Sequence, residues 1–214
     1  VTSKKDQEAW LSKNVVQWGK KASQFVNLQL STKGKKHLDS IPQDRNVFLI
    51  ANHQSVMDIL AIYATSEQMF GFIAKKELQK IPILRFWMTV QGCVFIDRKN
   101  TVETIQKLNT LGKDGKPCRI AAFPEGTRSK SGQMAPFKKG VLKTAWHLDS
   151  ILVPAHITGT REAWENRVKV LNKYPVSVEF FKTWDLRDIK KEMSFDSFME
   201  SLSQLYKIRD VHPV

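Results

Sequence analysis

Residues 47–60 read VFLIANHQSVMDIL. Val47 to Ala51 is an unbroken apolar run of strand length, and Val56 to Thr65 has a helical spacing of apolar residues. A strand that runs straight into a helix is half of a βαβ unit, and a strand apolar at every position is one covered on both faces. His53 and Asp58 lie five residues apart across the turn between them. On these residues alone two readings stand side by side: a helix cap with a satisfied histidine, or a general base with the carboxylate that orients it.

The alternation continues outward. Strand-like runs cover Phe70 to Ala74, Cys93 to Ile96, Ile120 to Phe123, Ile151 to Ile157 and Val176 to Phe181, while Thr101 to Leu111 and Lys138 to His147 read as helices. Residues 194–208 read as a closing helix with Ser194 as its cap. The expectation is an α/β fold, a single domain with a mostly parallel central sheet flanked by helices. Residues 8–30 read as an N-terminal helix, with Leu11, Val15, Trp18, Ala22, Phe25 and Val26 recurring three and four apart and Lys13, Lys20 and Lys21 on other faces. Such a basic amphipathic helix packs on a core or lies in a membrane interface. The chain is accordingly divided into residues 1–30, a candidate membrane-interface element, and 31–214, the main domain. Ile81 to Val90 is apolar around a single Arg85; the reading favours a core helix over an apolar wall for a lipid tail.

The 214-residue chain carries 34 Lys and Arg against 21 Asp and Glu, a net charge of +13 spread over its length. That field suits an anionic partner: a membrane surface, nucleic acid, an acidic protein or a phosphorylated substrate. Cys93 and Cys118 stand in strand-like surroundings without metal-type spacing, and read as buried free thiols of a reducing compartment. No run of about 18 apolar residues and no signal-peptide pattern is present. The first residue is Val1; removal of an initiator Met and an upstream membrane anchor are both open accounts of it.

In open α/β sheets ligands gather beyond the carboxyl ends of the strands. Three polar clusters fall there: Asn52-His53 with Asp58, Asp97-Arg98, and Pro124 to Ser129. A carboxylate at Asp58 would fix the Nδ1–H tautomer of His53 and leave Nε2 as a base. Gly126 allows a tight turn, Arg128 offers a planar fork to a phosphate, and Thr127 and Ser129 add hydroxyls. An ordinary loop with Glu125 and Arg128 ion-paired is the plain alternative. Arg98 pairs with Asp97 or meets a phosphate, and Lys75, Lys76, Lys138 and Lys139 add positive charge near the same edge. His147 and His156 stand alone. The chain lacks G-x-S-x-G, G-x-x-x-x-G-K-[ST] and H-E-x-x-H. A base with no protein nucleophile beside it points to direct activation of a substrate hydroxyl, and no metal site is read.

Asn52-His-Gln-Ser-Val-Met-Asp58 is similar to the N-H-x-x-x-x-D motif of the glycerolipid acyltransferases. Gly92-Cys-Val-Phe-Ile-Asp-Arg98 resembles their second block, Phe123-Pro-Glu-Gly-Thr-Arg-Ser129 their third, and Val153-Pro154 their fourth, with Ala155 where a larger aliphatic residue is usual. Ala74 to Leu78 with Ile81-Pro82, and Pro136 to Gly140, also resemble the family. The blocks stand in order over residues 47–157 and look most like the 1-acylglycerol-3-phosphate acyltransferases of the bacterial type.

The resemblance implies an O-acyltransferase. It would move an acyl group from a thioester co-substrate, acyl-CoA or acyl carrier protein, to the 2-hydroxyl of lysophosphatidic acid, giving phosphatidic acid. No other cofactor and no metal is implied. His53 is then the general base and Asp58 its orienting carboxylate. Arg128 is the first choice for the substrate phosphate, with Arg98 and Lys75 behind it. Glu125 holds the glycerol part or pins Arg128, and Gly126 and Thr127 complete the substrate-binding turn. Backbone N–H groups where the helix begins after His53 are candidates for the oxyanion. Members of the family usually carry a hydrophobic N-terminal segment; the basic stretch 8–30 implies instead peripheral attachment to an anionic membrane surface, at the cytoplasmic face, or an anchor lying upstream. One rival keeps the chemistry and changes the acceptor to glycerol 3-phosphate or another lysophospholipid. Another is a non-catalytic basic protein that binds membrane or nucleic acid. It leaves four ordered blocks without a reason, and no aromatic-basic stripe supports nucleic acid, which is not expected as a partner.

Overall fold

The change of period at residue 52 is a change of structure: Val47–Ala51 is a strand with every residue buried, and a helix starts at Asp58. The computed structural model describes residues 4–97, 100–112, 116–129, 133–165 and 172–211. In chain order the elements are α1 (Lys4–Phe25), β1 (Leu28–Lys33), α2 (Lys35–Asp39), β2 (Val47–Ala51), α3 (Asp58–Ser66), β3 (Gly71–Lys75), α4 (Pro82–Val90), β4 (Val94–Ile96), α5 (Thr101–Leu108), β5 (Arg119–Ala122), α6 (Lys139–His147), β6 (Ile151–Thr158), α7 (Thr160–Trp164), β7 (Tyr174–Phe180), β8 (Trp184–Asp185), α8 (Leu186–Glu192) and α9 (Phe195–Val211). A 3-10 turn at Lys76–Lys80 joins β3 to α4.

The strands form one sheet in the order β1-β7-β6-β2-β5-β3-β4, with β8 paired to β6. From β6 to β4 the five neighbours are parallel. β7 is antiparallel to β6, and β1 runs parallel to β7. The carboxyl ends of five parallel strands therefore share one edge, which is where the site forms. β2 lies between β5 and β6, and its side chains alternate between two cores. Val47, Leu49 and Ala51 join the core that includes Ala61 and Ile62 of α3, while Phe48 and Ile50 join the one that includes Leu142 of α6 and Phe198 of α9. Tyr206 of α9 reaches into the sheet: its hydroxyl donates to Ile50 O and accepts from Ala155 N, tying β2 to β6 near their carboxyl ends. Ser194 caps α9 as read, accepting from Ser197 N at 3.2 Å.

Two expectations are corrected. The helix read over 8–30 ends at Phe25, Asn27 turns the chain at φ 60°, and Leu28–Lys33 joins the sheet edge. A half-polar edge strand, LQLSTK, does not announce itself beside a strong helical period. The second concerns Ile81 to Val90, read as a core helix. It is a helix, but α4 has no buried residue. Spacing marks an apolar stripe without saying which way it turns, and here it turns outward.

The two ends of the excursion that carries α4 are fixed. A Cβ on Gly71 would lie 2.2 Å from Gly92 O, so only glycine lets β3 approach the chain returning from α4. Phe72 N–H donates to Cys93 Sγ at 3.2 Å, and the Tyr63 hydroxyl meets Gln91 Oε1 at 2.8 Å. Cys93 and Cys118 are free, half-buried thiols, each pushed up to about 11 by burial. His156 is buried and His147 exposed. Among the described residues no helix is long and apolar enough to cross a membrane.

Candidate active site

The site begins where the β2 ladder stops. Asn52, the next residue, prolongs the ladder with its side chain: Nδ2 donates to Ile157 O at 2.8 Å and Oδ1 accepts from Ile157 N at 2.7 Å. That imitation of a backbone pair fixes where His53 emerges. His53 is then held at four points. Its N–H donates to Glu125 Oε1 at 2.7 Å, and its carbonyl accepts from Ser129 N at 2.8 Å. Its ring stacks on Phe123 with centroids 3.9 Å apart at 11°. Its Nδ1 lies 2.7 Å from Asp58 Oδ2.

Asp58, in the first turn of α3, has a side chain wholly removed from solvent. Burying a carboxylate is costly unless its oxygens are met. Here Oδ2 also accepts from Gln54 N at 2.8 Å and Ser55 N at 3.0 Å, and Oδ1 accepts from the Thr160 hydroxyl at 2.6 Å. The start of the helix adds its own favourable field. With Nδ1–H directed at Asp58, Nε2 is the ring nitrogen left for chemistry. The same bonds narrow one expectation. The N–H groups of Gln54 and Ser55, candidates for an oxyanion, are spent on Asp58, and that of Met57 donates to Ser55 Oγ.

The third block folds around His53. Glu125 is buried and bridges two backbone donors, His53 N through Oε1 and Ala135 N through Oε2 at 2.8 Å. Its carboxylate therefore braces the turn from below. Gly126 sits at φ 74°, and the Lys138 side chain lies against its open face, where a Cβ would come within 3.1 Å of Cδ and Cε. Thr127 and Arg128 are exposed at the rim. Arg128 Nη1 donates to Glu165 Oε1 at 2.8 Å, and Ser55 Oγ reaches the same oxygen at 3.3 Å. The carboxylate found against Arg128 thus comes from beyond β6.

These residues line a cavity of about 1010 Å³. His53, Thr127, Arg128, Ser129, Lys138, Arg161 and Glu165 are its polar lining, together with the exposed Lys75. Its apolar lining includes Ile59, Phe72, Ile73, Leu78, Met88, Ile96, Leu108 and Val141. The structure brings together His53, Asp58, Glu125, Gly126, Thr127 and Arg128, with Lys75 exposed at the margin. Arg98 lies outside the described residues. Thr160, Arg161 and Glu165 were missed by sequence reasoning, although Gly159-Thr160-Arg161 follows a fourth strand ending at the same edge. Among the described residues, no group of three or more His, Cys, Asp or Glu is placed to hold a metal ion.

Residues 34–158, more than half of the chain, match the acyltransferase family, and the chain belongs to it. Among curated relatives it is 31% identical over 159 residues to the 1-acyl-sn-glycerol-3-phosphate acyltransferase of Cocos nucifera, covering 73% of this chain and 51% of that one. It is 30% identical over 172 residues to the enzyme of the same description from Saccharomyces cerevisiae, covering 78% and 55%. The chain spans about half the length of these two relatives. Among solved structures it resembles the crystal structure of the 1-acyl-sn-glycerophosphate (LPA) acyltransferase PlsC from Thermotoga maritima. The TM-score is 0.79 at 25% identity, covering 98% of this chain and 82% of that one.

Proposed function

We propose that the chain transfers an acyl group from a thioester to the 2-hydroxyl of lysophosphatidic acid, giving phosphatidic acid. The observation that carries the reading is the 2.7 Å contact of His53 Nδ1 with a fully buried Asp58, at a cavity lined by both cationic and apolar residues. The names borne by the relatives point to the same acceptor.

In this reaction His53 Nε2 takes the proton of the 2-hydroxyl as its oxygen attacks the thioester carbonyl carbon. Asp58 holds the ring in place and balances the imidazolium that forms. The tetrahedral intermediate collapses, the C–S bond breaks, and the departing thiolate takes the proton back from His53. Every atom is accounted for by the two substrates and one imidazole, so the thioester, coenzyme A or acyl carrier protein, is the only co-substrate required. Arg128 receives the acceptor's phosphate, releasing Glu165, with Lys75 and Arg98 as further cations. Glu125, with both oxygens on backbone N–H groups, acts by shaping the turn that carries Gly126 and Thr127. The acyl chain lies against the apolar residues that line the cavity.

Attachment to an anionic membrane surface, from the cytoplasmic side where acyl thioesters are made, belongs to the same reading. The net charge of +13 supports it, as do Trp10, Trp18 and Phe25, exposed along α1. The test is acyl transfer to lysophosphatidic acid in vesicles with each donor. His53→Ala is expected to lose about a thousandfold in rate while still binding vesicles. Full activity in that variant would overturn the mechanism.

A further inference from the structure

α4 presents its apolar stripe to the wrong side for a globular protein. Ile83, Phe86, Trp87 and Val90 recur at three and four residues, so they share one face of the helix. A surface helix turns such a face to the core. Here the four residues are 76, 62, 45 and 38% exposed. Met88 is the one residue of α4 that is half-buried, and it lines the cavity that holds His53.

The charge beside the stripe is mostly positive, with Lys76 paired to Glu103 at 3.2 Å. Between residues 75 and 85 there are four cations, Lys75, Lys76, Lys80 and Arg85, against a single carboxylate, Glu77, and all five are exposed. An apolar stripe above a cationic collar is the arrangement of a helix that lies in the interface of an anionic bilayer, with the long cationic side chains reaching back to the headgroups. At nine residues α4 is too short to cross. A second copy of the chain is a poor cover for the stripe, because it would bring two cationic collars together.

We propose that α4 is a docking element, beside the exposed aromatics of α1, by which this chain seats itself on an anionic lipid surface. Insertion of Ile83, Phe86, Trp87 and Val90 places the mouth of the cavity at the depth of the acyl chains, so that the acceptor passes sideways from the bilayer, past Met88, to His53. The inference rests on the reading of the substrate as a lysophospholipid.

The experiment compares the full chain with the double variant Phe86→Ser, Trp87→Ser, two exposed positions that do not line the cavity. Sedimentation with phosphatidylcholine vesicles, with and without phosphatidylglycerol, reads docking. Acyl transfer is measured to long-chain lysophosphatidic acid in those vesicles and to a short-chain form dissolved as monomer. The variant is expected to lose roughly a hundredfold in binding to anionic vesicles and in transfer to the embedded acceptor, with its rate on the dissolved acceptor unchanged. Vesicle binding equal to wild type overturns the proposal. So does a stably folded variant that loses both activities, which assigns the stripe to the acyl site. So does a dimer that the variant dissociates while vesicle binding persists. If wild type transfers to neither acceptor, the reading of the substrate fails, and the binding comparison still decides whether α4 docks.

Discussion

Thr160 gives its hydroxyl hydrogen to Asp58 Oδ1 at 2.6 Å, from the start of α7, 102 residues further along the chain. Both side chains are buried. The bond fixes the plane of the carboxylate, so that Oδ2 is the oxygen turned to His53. Thr160→Val keeps the shape and leaves Oδ1 without this donor. It is expected to cost about 1–3 kcal/mol of stability and to lower kcat about tenfold with KM little changed. Thr160→Ser restores both. Steady-state kinetics and urea unfolding of the two variants check this; a Ser variant as impaired as Val would mean that Thr160 serves packing alone.

In the proposed reaction Arg128 takes the acceptor's phosphate in competition with Glu165, which it meets here at 2.8 Å. The pair is half-exposed, with side-chain exposures of 52% and 33%, so breaking it costs little stability. Arg128→Lys keeps the charge and loses the fork, which is expected to raise KM for lysophosphatidic acid about tenfold at similar kcat. Glu165→Gln removes the competitor and is expected to lower KM. If the two variants move KM in the same direction, Arg128 serves the pair with Glu165 and not the phosphate.

At the amino-terminal edge of the sheet, Arg45 grips Asp185 with both nitrogens, at 2.7 and 2.8 Å. The guanidinium hydrogen bonds hold the Asp185 carboxyl below its ordinary 3.8, against the opposing effect of burial. A carboxyl depressed by folding contributes stability that is complete above the unfolded value, and that is lost as pH falls through the folded one. Asp185→Asn is therefore expected to cost about 1 kcal/mol at neutral pH, with the gap to wild type closing as pH is lowered below about 4. Urea midpoints across that range measure it. A gap that stays constant down to strongly acid pH would separate its cause from titration.

The parallel part of the sheet was legible because its strands are short apolar runs closed by polar turns, and the rule about carboxyl ends then located the site. Val47–Ala51 needed no structure to place it. His53, Asp58, Glu125 and Arg128 stand in recognisable blocks. What stayed hidden has three physical causes. β1 and β8 are short or half-polar edge pieces, held by neighbours far along the chain and not by their own pattern. Thr160 and Glu165 act through distance in space, and nothing local marks a threonine that will meet a carboxylate a hundred residues away. The outward face of α4 is a third kind of miss, since a period is blind to direction.

The close approach of Gly71 to Gly92 has a consequence for how such a protein can change over generations. The excursion between β3 and β4 is riveted at its base, and of α4 only Met88 lines the cavity. With α4 docked as proposed, substitutions along its outer face can tune its greasiness to a different lipid composition at positions that do not line the cavity. Chemistry and habitat are then inherited on separate pieces of one chain, with two glycines as the seam between them.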